Sequence, residues 1–283
     1  MRVFVTGATG YVGSAVVREL IDTGHTIVGL TRSDNGASIL KEIGAEVHRG
    51  TIDDLESLHS GAASADGVIH LAFNHDFSNF EAALATDLRA VETMGEALVG
   101  SGKPFVTTAH ANGGASDNAV IALAERGVRT AVVSLSPTVH GEGDKGFVSR
   151  LINIAREKGV SAYVGDGSNR WPAVHRLDAA HLYRLALEKA PAGSLLYGRA
   201  EEGVPFRDVA EVVGKHLNLP VVSISREETS AHFGFLGTIV AIDIPSIAPG
   251  SGAKTRGLLG WQPMHPTLIA DLEQGHYFNG GNA

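Results

Sequence analysis

From residue 3 to residue 135 the chain alternates short apolar runs with stretches of helical spacing, and no other feature restricts its possible folds as much. Val3–Thr6, Thr26–Thr31, Glu46–His48, Val68–Ala72, Phe105–Thr108 and Arg129–Leu135 read as strands. Tyr11–Thr23, Ser38–Ile43, Leu55–Ala62, Phe80–Val99 and Asn118–Arg126 read as the helices between them. Strands that are apolar along their length are covered on both faces, and strands separated by helices pair in parallel. The expected fold class is α/β, a doubly wound parallel sheet.

The texture changes near residue 145. Beyond it only Gly146–Lys158, Asp178–Lys189 and Arg207–Leu217 read clearly as helices, and Gly234–Gly260 is apolar without a legible period. The expected division is a dinucleotide-binding domain over 1–145, to which 175–199 returns. A smaller C-terminal α+β region over 146–174 and 200–283 would bind substrate.

Composition removes several classes. The 283 residues include 35 glycines, about 12% against the usual ~7%, and only 10 prolines, so the excess glycine serves particular turns rather than a low-complexity tract. With no cysteine, the chain has no disulfide, thiolate zinc site, iron–sulfur cluster or thiol nucleophile. A formal charge of −8 gives no basis for nucleic-acid binding. Thirteen histidines form neither a His-Glu-x-x-His nor a His-x-His pair, and no metal is expected. No run reaches membrane-spanning length, the start is too briefly apolar for a signal peptide, and a cytoplasmic protein is expected. Gly250–Thr255 lacks the glycine before Lys254 that a phosphate-binding P-loop requires, and no Gly-x-Ser-x-Gly elbow occurs.

Gly7-Ala-Thr-Gly10-Tyr-Val-Gly13 lies between the first expected strand and the first expected helix, the context in which glycines at this spacing bind a pyrophosphate. Gly7 makes the tight turn, Gly10 lets backbone approach the phosphates, and Gly13 lets helix and sheet pack closely. Thr9, Tyr11 and Val12 complete the loop, and the helix N-terminus offers free N–H groups. Where an NAD site would carry an acidic residue after the second strand, this chain has Thr31, followed by Arg32 and Ser33. Arg32 can fork onto a 2′-phosphate, so NADP is the expected cofactor; NAD is the alternative, with Asp34 as its acidic residue. Asp53 is placed to accept from an adenine amino group or to cap the following helix.

These residues resemble the short-chain dehydrogenase/reductase superfamily, on its extended or atypical side, whose members include NAD(P)-dependent epimerase/dehydratase-like enzymes on a Rossmann sheet. Thr6–Gly13 is similar to the extended-type glycine motif, Asp53–Leu55 to the adenine-contacting segment, and Val68–Ala72 to the fourth-strand motif lining the cofactor through Leu71 and Ala72. Leu135–Gly141, with Pro137 and His140, is similar to the segment beside the nicotinamide. Val174–Asp178 and Leu259–Pro263 are similar to the family's hinge and tail. The family's chemistry uses a serine and a Tyr-x-x-x-Lys pair. Here Ala109 and His110 stand where the serine belongs, and His110–Gly127 holds neither tyrosine nor lysine. The chain resembles the atypical subgroup that lacks this triad.

The resemblance implies that a proton donor must come from elsewhere. His75, with Asp76 to hold its tautomer, follows the fourth strand; the alternative is a solvated loop in which Asp76 or Ser78 caps the next helix. His110 and Thr108 end the fifth strand, where Thr108 could donate to a substrate oxygen or simply favour strand. His175 reads as packing beside Asp178. Trp171, Tyr163 and Phe147 are the expected substrate-pocket aromatics, and Trp261 reads as core. Three functions fit: an NADP-dependent oxidoreductase reducing the carbonyl of a small apolar substrate, a catalytically silent NADP-binding redox sensor, and a nucleotide-sugar epimerase or dehydratase. The partner is a small molecule, with a homodimer through Phe80–Val99 possible by analogy.

Overall fold

The structure is a computed structural model that describes residues 1–74, 79–109, 114–247 and 251–279. In chain order it runs β1 (Arg2–Thr6), α1 (Tyr11–Asp22), β2 (Thr26–Thr31), α2 (Asp34–Glu42), β3 (Glu46–Arg49), α3 (Leu55–Ala63), β4 (Gly67–His70), α4 (Phe80–Glu96), β5 (Pro104–Thr108), α5 (Ala115–Ala122) and β6 (Arg129–Leu135). It continues through β7 (Thr138–His140), α6 (Phe147–Lys158), β8 (Ser161–Val164), β9 (Arg170–His175), α7 (Arg176–Lys189), β10 (Ser194–Gly198), β11 (Glu201–Pro205), α8 (Phe206–Leu217) and β12 (Val221–Ile224). Short helices α9 (Thr229–Phe233) and α10 (Ile244–Ile247) follow, then α11 (Gly252–Leu259) and α12 (Leu268–Glu273). None of the described helices is long and apolar enough to cross a membrane.

Two compact units result. The first holds Met1–Leu135, Ala179–Tyr197 and Lys254–Trp261; the second holds Ser136–Asp178, Gly198–Ala253 and Gln262–Ala283. The boundary expected after residue 145 therefore falls after Leu135, and the returning segment is Ala179–Tyr197 rather than 175–199. Lys254–Trp261, expected in the C-terminal region, belongs to the first unit; its Leu259 and Trp261 are buried, and its Thr255 hydroxyl accepts from Tyr197 N at 2.7 Å.

The first unit is a seven-stranded sheet in the order β3-β2-β1-β4-β5-β6-β10. The pairings from β3 across to β6 are all parallel. Val3 to Val5 are wholly buried, as a strand at the middle of a two-sided sheet must be. Chain order reverses between β1 and β4, and in sheets of this kind the crevice at the carboxyl ends of those two strands is where ligands bind. The last paired residues across that crevice are Thr6 and His70.

Three elements depart from the sequence expectation for local reasons. Helix α2 begins at Asp34, four residues before the expected Ser38, because the Ser33 hydroxyl caps it, accepting from Gly36 N at 3.0 Å. Strand β4 stops at His70 rather than Ala72, because the Leu71 and Ala72 amides turn to the Thr6 hydroxyl, each at 3.2 Å. The expected helix Asn118–Arg126 is instead α5, which starts at Ala115, and a 3-10 turn over Leu123–Arg126 closed by Gly127.

In the second unit β9 lies between β7, to which it is parallel, and β11, to which it is antiparallel, while β8 and β12 form a separate parallel pair. Its core gathers Leu151, Trp171, Phe206, Phe233 and Leu236. A row of histidines and carboxylates lies beside it. His140 bonds Asp271 through Nδ1 at 2.8 Å, both side chains buried. His175 meets His140 edge-on, with ring centroids 5.3 Å apart, and stacks on His265 at 4.9 Å. His265 bonds Asp178 at 2.8 Å, and Asp178 also accepts from the backbone of Met264 and His265. Burial, reinforced by His140, drives the His175 pKa down to about 4, so its ring is neutral near pH 7.

Candidate functional site

The site begins at the turn from β1 into α1. Gly7 has φ +67° and bonds Gly10 N through its carbonyl at 2.9 Å. A Cβ on Gly7 would sit 2.7 Å from Ala72 N, and one on Gly13 would sit 2.0 Å from Gly7 O. The first glycine thus brings the turn onto the exit of β4, and the third seats α1 on the turn. Gly10 is the N-cap, without a side-chain cap of its own, so helical geometry leaves the amides of Tyr11, Val12 and Gly13 outside the i→i−4 ladder. Thr9 and Gly10 are exposed at this edge, and Leu71 and Ala72 are half-buried beside it. A cradle of small residues under a helix N-terminus fits a pyrophosphate.

At the end of β2, Thr31 is buried and no carboxylate occupies its position. Arg32 is exposed, with no ion-pair or hydrogen-bond partner among the described residues. Asp34 pairs with Arg49 at 2.5 Å. The Ser33 hydroxyl caps α2 by accepting from Gly36 N, and its own proton stays available to donate from an exposed position. Asp53 does not cap α3. Asp54 does, accepting from Ser57 N at 3.1 Å, and Asp53 remains exposed.

His75 and Asp76, and likewise His110, lie outside the described residues. The N-cap of α4 is Asn79, which accepts from Ala82 N. Thr108 is described: half-buried at the end of β5, its Oγ1 lies 2.6 Å from the hydroxyl of Tyr183 on α7. Burial pushes the Tyr183 phenol well above the ordinary tyrosine range, so it stays protonated. When that phenol donates to Thr108, the Thr108 proton is left for a ligand.

The remaining expected residues sit in the second unit. The His140 side chain is wholly buried against Asp271 and so is withdrawn from any ligand, while Pro137 is half-buried. Trp171 is corrected from pocket to core: it is 4% exposed and wedged between the rings of Phe147 and Phe206, at 5.7 and 5.4 Å. Phe147 therefore packs on Trp171, while Tyr163 lies under the Arg207 guanidinium at 5.4 Å. A polar pocket of about 640 Å³ is lined by Asp166, Ser168, Asn169, Arg170, Arg226 and Asp243. Its Arg170 is already engaged by both carboxylate oxygens of Asp243, each at 3.0 Å. Among the described residues, no three His, Asp or Glu side chains converge as metal ligands.

Sequence reasoning did not single out Thr6, His70, Asp87 and Tyr183 as site residues. Thr6 and His70 carried a signal, being single polar residues within the apolar runs Val3–Thr6 and Val68–Ala72. Tyr183 carried none, since it falls in an ordinary helical pattern.

Residues 3–108 match the model of the "NAD dependent epimerase/dehydratase family". A protein of Schizosaccharomyces pombe described only as uncharacterized protein C2A9.02 is 46% identical over 98% of this chain and its own full length. The 2-alkyl-3-oxoalkanoate reductase of Stenotrophomonas maltophilia is 26% identical over 74% of this chain and 73% of its own. Among solved structures, the dTDP-glucose 4,6-dehydratase DesIV of Streptomyces venezuelae, determined with NAD bound, superposes with a TM-score of 0.72 at 17% identity. The superposition covers 98% of this chain and 97% of that one and shows a shared fold. The glycine cradle, the strand reversal beside it and the end-to-end relative agree: the chain belongs to the NAD dependent epimerase/dehydratase family of the short-chain dehydrogenase/reductase superfamily, enzymes that work with NAD(P).

Proposed function

We propose that this chain is an NADPH-dependent reductase of a carbonyl on a small, fairly apolar substrate, of the subgroup that works without the Ser/Tyr-x-x-x-Lys triad. The observation that carries the NADP preference is the end of β2: Arg32 stands exposed and unpaired among the described residues, while Asp34, the alternative acidic residue, is spent on Arg49. Gly7, Gly10, Gly13 and the amides of Tyr11 and Val12 would hold the pyrophosphate, Arg32 the 2′-phosphate, and Asp53 the adenine. Reduced nicotinamide supplies a hydride. The chain must supply a proton to the developing alkoxide; the candidates are Thr108, the last residue of β5, and His75 and His110, which come after β4 and β5 in sequence. The sugar-nucleotide reading is weakened by Arg170, whose guanidinium is neutralised by Asp243 before any diphosphate arrives. The reductase among the relatives supports the carbonyl reading.

The test is a panel of ketones, aldehydes and imines incubated with the protein and NADPH, followed by loss of nicotinamide absorbance. The expected result is turnover on at least one substrate, reduced by about 10²–10⁴-fold in whichever of His75→Ala, His110→Ala and Thr108→Val removes the proton donor. Tight NADPH binding with no turnover on any member would replace this reading with the redox sensor.

A further inference from the structure

We propose that His70 is a positioning residue for the dinucleotide, acting through Thr6 on the backbone that follows β4; the proposal rests on the cofactor reading of the Gly7 turn. The observation is a buried chain of three side chains. The Thr6 hydroxyl lies 2.6 Å from His70 Nδ1, and His70 Nε2 lies 3.0 Å from Asp87 Oδ1 on α4. Thr6 is wholly buried, with His70 3% and Asp87 1% exposed.

Counting protons fixes the direction of every bond. The Thr6 oxygen faces two backbone amides, Leu71 N and Ala72 N, each at 3.2 Å. Leu71 N is shared with the Thr6 carbonyl at 3.3 Å. Amides only donate, so both hydroxyl lone pairs are taken and its single proton must go to His70 Nδ1. Nδ1 must then be bare. The Asp87 carboxylate secures this by accepting from Nε2–H, which selects the tautomer. A proton on Nδ1 would present three donors to an oxygen with two lone pairs, and one amide would be released.

That amide matters because of where it sits. Leu71 and Ala72 are the backbone atoms against which Gly7 turns, at the distance where only a glycine fits. The chain from Asp87 to Thr6 therefore sets the gap between the phosphate turn and the β4 exit, the floor on which a dinucleotide would rest. Thr6 and His70 are register partners at the ends of β1 and β4, so the latch spans the point where the sheet reverses.

The first arm of the test uses the whole, uniformly 15N-labelled chain without nucleotide. Long-range proton–nitrogen spectra of its histidine rings at neutral pH, with His70 assigned from the His70→Asn spectrum, report the tautomer directly. The expected result is a bare Nδ1 and a protonated Nε2; a protonated Nδ1 overturns the proposal even if no variant folds. The second arm titrates NADPH. Thr6→Val, which keeps shape and loses the hydroxyl, should weaken binding about tenfold or more, and Thr6→Ser should stay within about twofold of the native chain. Equal affinities for Val and Ser also overturn it. If the native chain binds neither NADPH nor NADH, the cofactor reading fails and the positioning role with it, while the spectra still decide whether the latch exists.

Discussion

Arg32 and Asp34 lie two residues apart at the end of β2, and their unequal fates decide how a nucleotide would be read. A carboxylate already holding Arg49 has less to offer a ribose, whereas a guanidinium unpaired among the described residues presents a planar fork of donors. Arg32→Ala should therefore weaken NADPH about tenfold or more and leave NADH within about twofold, by fluorescence titration of both. Parallel losses would remove the NADP preference. These residues were legible because their chemistry is local: a charge, its place after a strand, a glycine before a helix. Thr6, His70 and Asp87 were harder, since Thr6 and His70 are 64 positions apart and meet through parallel pairing, while Asp87, 17 positions beyond His70, reaches it from α4. Trp171 was misread for a related reason. An aromatic before a proline looks like a loop, yet Trp171 lies within β9, between two phenyl rings.

Among elements, α1 and its turn act as one piece. A methyl group on Gly13 would have to occupy space 2.0 Å from the Gly7 carbonyl, and that carbonyl is fixed by its bond to Gly10 N. Gly13→Ala should cost about 1–3 kcal/mol in thermal or urea unfolding and abolish measurable nucleotide binding. A variant with native stability and native affinity would show that close helix–turn packing is not what holds the cradle. In the first unit β1 to β5 were readable because each is followed by a helix, and β6 because its seven residues are largely apolar. The strands of the second unit were not. β7 has three residues and β8 and β12 four, too few to display a period, and β9 carries Pro172, which argues against a strand in any reading that lacks its neighbours.

For the molecule as a whole, the histidine row makes stability depend on acid. An unfolded imidazole titrates near 6.5, while His175 in the fold titrates at about 4. Between these values the unfolded chain holds the extra proton, so stability is full above about pH 6.5, falls as pH drops toward 4, and levels off below it. The gap, about 2.5 pH units, is worth about 3 kcal/mol. Urea unfolding at pH 7.5 and 5 should differ by about 2 kcal/mol, the part of that gap crossed by pH 5, and His175→Phe should shrink the difference; an unchanged difference would show that the acid sensitivity lies elsewhere. The path of the chain has a last consequence, for synthesis. The strand that flanks β6 comes from residues 194–198, and the buried Trp261 comes later still. A ribosome that has delivered all of the phosphate turn, the switch point and the sixth strand has not yet delivered what completes their sheet and core. The nucleotide cradle is therefore made well before the unit that carries it is finished.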